Sequence, residues 1–248
     1  GNADITVHIH ALYGSTLLIH DHRESSDWIS NIQHVRRRET IAVTPPYSLR
    51  MIKEFIGEEP QPLEVITAEH WNSIEDAVLE NTGASIRPLI ASSGLSVQYG
   101  ILMGLLHYAR QNHPTKSVKF IIPPNCYGGT NDQARRISAM AKDVEMVDLP
   151  VDAGSEMTDS LETVLSNVAL QDAVPIILVE IPTNPRVEVP DMSLLGEVLT
   201  KPRVTQNGVA AIAPVFIVDQ TFCPNVRLLD DESSLVQVQT LSFSSGSK

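Results

Sequence analysis

Five short motifs carry residues able to do chemistry, and each follows or closes an apolar run. Ser245-Gly246-Ser247-Lys248 sets two hydroxyls beside an amine. Such an amine condenses with an aldehyde, and the hydroxyls suit a phosphate on the same ligand. Asp219 opens Asp219-Gln220-Thr221-Phe222 at the end of Val215-Val218. A carboxylate closing a buried strand is costly unless it has a partner, and a protonated ring nitrogen is a fitting one. Tyr127, in Tyr127-Gly128-Gly129-Thr130, offers a ring for offset stacking on a flat heteroaromatic group. In Glu180-Ile181-Pro182-Thr183-Asn184-Pro185 two prolines stiffen the turn and hold Asn184 between them with an amide to donate. Ser92-Ser93-Gly94-Leu95 precedes a long helical stretch, whose amino terminus attracts anions while glycine lets them approach the backbone.

Taken singly, each motif has a plainer reading. Ser93 suits a helix cap, Tyr127 a loop ring over the core, and Asn184 a structural turn. Asp219 could cap the turn that follows, and a lone lysine is commonly solvated. Their order is more telling than any one of them. Together they supply what a phosphorylated pyridine aldehyde needs.

The elements that must position these residues are readable from about Ile86 onward. Strand-length apolar runs occur at Ile86-Ala91, Val118-Ile122, Val144-Val147, Pro175-Ile181, Val215-Asp219 and Val236-Phe243. Helical stretches at Leu95-Gln111, Asn131-Lys142, Thr158-Leu170 and Ser193-Thr200 alternate with them. That alternation predicts an α/β fold, a mainly parallel sheet with helices on both faces and ligands beyond the carboxyl ends of the strands. The first third is less regular. Ile5-His10 and Thr16-His20 read as short strands, and Trp28-Arg37, Tyr47-Ile56 and Trp71-Leu79 as helices. The expected division is an N-terminal segment, 1-66, and a ligand-binding domain, 67-248.

Composition narrows the function classes. The 248 residues are 42% hydrophobic but only 5% aromatic, so the core must rest on aliphatic side chains. Eighteen basic residues against 30 acidic ones give a net charge of -12, and no basic stripe suggests nucleic acid. Cys126 and Cys223 are the only cysteines, which fits a reducing compartment. No apolar stretch reaches the roughly 18 residues of a membrane span. The start, Gly1-Asn2-Ala3-Asp4, shows no signal-peptide pattern, so a cytoplasmic protein is expected.

In order, the five motifs resemble the signature of the Cys/Met metabolism PLP-dependent enzymes, the family of cystathionine γ-synthase, cystathionine γ-lyase, cystathionine β-lyase and methionine γ-lyase. The resemblance runs from about residue 70 to 248. It implies the large domain of the PLP-dependent transferase-like fold (aspartate aminotransferase type I), and pyridoxal 5'-phosphate as cofactor. By resemblance, Ser93, Gly94 and Leu95 bind the phosphate through backbone amides, with Ser245 and Ser247 adding hydroxyls. Tyr127 stacks on the ring, Asn184 meets the ring hydroxyl, Asp219 pairs with the pyridine nitrogen, and Lys248 is the Schiff-base lysine. Lys248 and Tyr127 are then the catalytic residues. The implied activity is β- or γ-replacement or elimination on sulfur amino acids or homoserine esters, in a cytoplasmic homo-oligomer, dimer or tetramer, with a small amino-acid substrate and neither nucleic acid nor membrane as partner.

The chain departs from the family's pattern at Leu95, Gln220 and Ser247, where Met, Asn and Thr are usual. It has no Tyr-x-Arg between Leu63 and Asn72, and Tyr47-Ser48-Leu49-Arg50 lies further upstream. The family also continues past its lysine into a small C-terminal domain, for which this chain has no residues. Two other readings remain. One is a relative that keeps the fold without catalysis. The other is a metal-dependent hydrolase built on His8-x-His10 and His20-x-His22, whose alternate residues share a strand face; His107 and His113, on or just after a helix, add nothing to that set.

Overall fold

A computed structural model describes residues 11-12, 15-16, 45-59, 62, 67-151 and 156-246. The chain divides into two compact units, Gly1–Thr67 and Ala68–Lys248. In the first, strands β1 (Ala11–Leu12) and β2 (Ser15–Thr16) pair antiparallel, and helix α1 spans Pro45–Phe55. A proline at a helix's first position loses no bond, since that amide has no partner within the helix. The stretches Ile5-His10 and Trp28-Arg37 lie outside the described residues, as do His8, His10, His20 and His22.

The second unit runs α2 (Ala68–Thr82), α3 (Gly94–Asn112), β3 (Val118–Ile122), α4 (Gly128–Met140), β4 (Val144–Asp148), α5 (Glu156–Leu170), β5 (Val174–Glu180), α6 (Met192–Thr200), β6 (Val215–Asp219) and β7 (Gln239–Phe243). Its sheet has the order β4-β3-β5-β6-β7, every pair parallel. The expected α/β architecture is therefore present. Strands buried on both faces need not alternate polar and apolar residues, and β3, β5 and β6 are buried at every position.

Side chains alternate across this sheet. Ile121, Ile177, Val179, Phe216 and Val218 pack with Leu161, Leu165, Leu195 and Leu199 from α5 and α6. Phe120, Ile122, Ile176, Leu178 and Ile217 pack with Leu102 and Leu106 of α3 and Ala134 and Ile137 of α4. Leu102, Phe120, Ile177, Leu178 and Phe216 are fully buried, so truncating any of them removes about 2–5 kcal/mol.

One expected strand is absent. Ile86-Ala91 forms no strand, and Ile86 and Leu89 are 79% and 89% exposed. Pro88 has no amide to donate to a ladder, and no neighbouring strand covers the run. Val236-Phe243 yields a shorter strand than expected, because Val236 and Val238 sit in turns whose amides bond back to Ser233 and Leu235.

Candidate functional site

In an open parallel sheet, ligands bind outside the carboxyl ends of the strands, where successive connections leave in opposite directions. Here that point lies between β3 and β5, since β4 flanks β3 on one side and the chain then returns to β3's other side. Glu180 ends β5 and Asp219 ends β6, and the two are register partners. Both continue the row of Leu178 and Ile217, so they face the side covered by α3 and α4.

Two buried carboxylates side by side repel one another and lose hydration, and both effects favour protonation. Glu180 is 5% exposed and Asp219 9%. Burial pushes Glu180 up to about 7; the Tyr127 amide and Asn184 restrain the rise, while the charge of Asp219 adds to it. Burial also raises Asp219, against two hydrogen bonds from Thr221 to Asp219 Oδ1: the backbone amide at 2.9 Å and the hydroxyl at 2.6 Å. Asp219 thus takes both of its hydrogen bonds from Thr221. Among the described residues neither carboxylate is in an ion pair.

Tyr127 joins this pair through its backbone. Its amide donates to Glu180 Oε1 at 2.8 Å, at the start of α4. That helix begins without a side-chain cap hydrogen bond, and Glu180 instead accepts the amide of its capping residue, Tyr127. The ring folds over the helix it precedes. A Cβ placed on Gly129 would lie 2.5 Å from Tyr127 Cε1 and 3.1 Å from Leu95 Cδ2, so any side chain there would push the tyrosine ring aside. The ring is nonetheless 48% exposed, leaving a face for a ligand.

Ser93 caps α3, accepting the Ser96 amide at 3.1 Å. Next to it, a Cβ on Gly94 would meet Ser245 Cβ at 2.8 Å and Ser245 Cα at 2.9 Å. The first and last motifs therefore touch, although some 150 residues separate them. The Ser245 amide also donates to Thr221 Oγ1 at 3.1 Å, and Thr221 Oγ1 donates in turn to Asp219. A continuous set of contacts thus runs from the helix terminus at Gly94 through Ser245 and Thr221 to Asp219, then by register to Glu180 and by hydrogen bond to Tyr127. Asn184 lies half-buried in the turn after β5, beside Glu180. Ser247 and Lys248 lie outside the described residues.

Chemically the arrangement combines the amino terminus of α3, a hydroxyl-bearing segment after β7, a half-exposed aromatic ring and a buried anion. Those features match the ends of a phosphorylated, cationic heteroaromatic ring. No family model matches the chain, and no curated protein matches it either. Among solved structures it is similar to metB from Corynebacterium glutamicum, at 21% identity and TM-score 0.37, covering 60% of this chain and 31% of that one. It is similar to serine palmitoyltransferase of Sphingomonas wittichii at 14% identity and TM-score 0.42, covering 62% of this chain and 31% of that one. The third is a cystathione γ-lyase from Micromonospora echinospora, at 17% identity and TM-score 0.41, covering 67% and 36%. The matched part is about a third of each of those chains. At such values the residues of this chain, not its neighbours, carry the functional reading.

Three features of the site were not anticipated from sequence. Glu180 read only as the last residue of a strand. Thr221 read as part of a motif, without its bond to Asp219. Gln98 and Gln133 read as ordinary helix positions, yet both are buried. Gln98 Nε2 donates to Gln133 Oε1 at 2.9 Å, Thr130 Oγ1 donates to Gln98 Oε1 at 2.9 Å, and Gln133 Nε2 donates to the Leu95 carbonyl at 3.1 Å. This network locks the first turns of α3 and α4 together. A glutamine in the buried row of each helix, Gln98 four residues before Leu102 and Gln133 four before Ile137, was the available signal. Among the described residues no cluster of three or more His, Cys, Asp or Glu is placed to hold a metal ion, and no helix is long and apolar enough to cross a membrane.

Proposed function

We propose that this chain is the cofactor-binding part of a pyridoxal 5'-phosphate enzyme performing β- or γ-replacement or elimination on sulfur amino acids or homoserine esters, in the manner of cystathionine γ-synthase. One observation carries the reading: Asp219 is a buried strand-end anion without a cation among the described residues, and it is hydrogen-bonded through Thr221 to the Ser245 segment that leads to Lys248. A buried carboxylate in that state is costly, and a protonated pyridine nitrogen removes the cost. The donor set agrees with the rest of the cofactor.

When bound, the cofactor supplies an electron sink that acidifies the substrate's Cα proton. The residues then divide the work. Asp219 keeps the ring nitrogen protonated. Tyr127 covers one ring face, and Asn184 donates to the ring hydroxyl. The amides of Ser93, Gly94 and Leu95 and the hydroxyls of Ser245 and Ser247 hold the phosphate. Lys248 holds the cofactor covalently and, once released, its amine moves protons at the substrate. A homo-oligomer, dimer or tetramer, in the cytoplasm accompanies this reading.

Visible absorbance before and after borohydride reduction tests it. The protein should be yellow with bound cofactor, and reduction should fix the label on Lys248. Lys248→Ala should lose that absorbance, and a variant that stays yellow ends the assignment. Asp219→Ala should bind cofactor and turn over cystathionine or O-succinylhomoserine at least ~100-fold more slowly. Full activity would remove its role. Cofactor binding in the wild type with no turnover on either substrate would instead favour a non-catalytic relative.

A further inference from the structure

We infer that Glu180 is a positioning residue that balances charge at this site, holding a proton when the site is empty and releasing it to solvent when a cation is seated against Asp219. The inference rests on the cofactor reading above. Its basis is geometric. Glu180 and Asp219 are register neighbours at the ends of adjacent strands, both more than nine-tenths buried. Glu180 Oε1 is committed to the Tyr127 amide, while Oε2 is buried and takes no well-formed hydrogen bond. Asp219 Oδ1 has two donors from Thr221. One proton between two such groups therefore resides on Glu180, whose second oxygen is buried without a hydrogen bond.

The groups facing the pair come from every adjoining element. Tyr127 and Cys126 approach from the β3–α4 connection, Asn184 from the turn after β5, and Cys223 from the loop after β6. Burial, with Glu180 beside it, holds the Cys126 thiol up to about 12, and Cys223 is also raised, so neither thiol ionises near neutrality. Glu180, at about 7, titrates in that range. Because the empty site holds the proton and the filled site does not, affinity for a cationic ring must fall as pH drops below about 7.

Pyridoxal phosphate titrates as well, so the measurement is a difference. Cofactor affinity of the intact protein is followed by absorbance between pH 6 and 8, for wild type and Glu180→Gln. Glutamine keeps an oxygen for the Tyr127 amide but has no proton to release. Wild-type affinity relative to the variant should rise by about tenfold across that range, the equivalent of one pKa unit. Parallel profiles would overturn the inference while leaving the cofactor reading intact. Failure of wild type to bind the cofactor at any pH would overturn both. A second readout covers a variant that does not fold: the infrared band of an un-ionised carboxyl in wild type at pH 6.5 should vanish on cofactor binding. A band that persists, or that is absent from the empty protein, refutes the proton release.

Discussion

The two ends of the sheet in the second unit treat charge in opposite ways. At the amino end, the described ion pairs next to the strands match opposite charges. Arg110 at the end of α3 pairs with Asp143 before β4, Lys116 before β3 pairs with Asp172 before β5, and Lys201 and Arg203 after α6 share Glu162. A cavity of about 350 Å³ at this end is lined by Pro175, Lys201, Arg203 and Gln239, and its cations are already committed. At the carboxyl end, two carboxylates sit together with no cation among the described residues. The difference teaches where stability has been left unclaimed. Paired charges hold loops in place, whereas a like-charge pair costs stability that a proton or a bound cation restores.

The largest expected effect turns that contrast into a measurement. Glu180 rises from an ordinary value of 4.5 to about 7, so the folded chain binds more protons than the unfolded chain between those two values. Stability from this group is therefore greatest below about 4.5 and is lost as pH rises to about 7. The rise corresponds to about 3 kcal/mol. Asp219 shifts in the same direction and adds to the loss. Glu180→Gln should thus be more stable than wild type at pH 8, by up to about 3 kcal/mol in denaturant midpoint, with the gap closing toward pH 5. A gap that is constant with pH would break the comparison, because the carboxylate pair would then carry no penalty.

How much of this could be read from the sequence depended on whether a residue's environment was local. The strands β3, β5 and β6 were legible because continuous runs such as Val-Pro-Ile-Ile-Leu-Val suit only a doubly covered position. Ile86-Ala91 is also mostly apolar, but Arg87 interrupts it, a strand also needs a neighbour, and Pro88 withdraws one donor from any ladder. The order of the motifs pointed to one end of the sheet, and Gly94, Tyr127, Asp219 and Ser245 do meet there through the contacts described above. The identity of those contacts was not legible. Thr221 as the bridge, Gln98 with Gln133 as the clamp, and Glu180 as the second carboxylate all depend on which helix face meets which strand end.

A middle-sized effect compares two glycines of one helix. Gly94 lies at the carboxyl end against Ser245, with backbone among the atoms a Cβ would strike. Gly104, further along α3, has nothing within 4 Å of such a Cβ. Gly104→Ala should therefore stabilise the chain by about 0.5–1 kcal/mol, the ordinary helix preference of alanine. Gly94→Ala should cost about 1–3 kcal/mol, as overpacking does, because the Ser245 segment must move away. It should also weaken cofactor binding, since the same movement parts the two segments proposed to hold the phosphate. Equal thermal shifts for the two variants would mean that the contact between the first and last motifs yields easily.

The smallest effect is expected where the amino end is most exposed. Arg110 donates to Asp143 through Nε at 2.7 Å and Nη2 at 2.6 Å, a two-point pair of good geometry. The hydrogen bond to Arg110 lowers Asp143, and the same bond raises Arg110. For a carboxylate lowered in the folded state, the contribution is present above its ordinary value and disappears as pH falls through the folded one. Yet the two side chains are 48% and 37% exposed, so water competes for both and screens the pair. Arg110→Ala should accordingly change stability by no more than about 0.5 kcal/mol at neutral pH, less still in high salt. That residual should vanish in acid, below the ordinary aspartate range. Cofactor affinity should not change, since Arg110 sits at the far end of α3 from Gly94. A loss of affinity in this variant, with stability preserved, would show that the two ends of the sheet are coupled through α3 and that neither can be read alone.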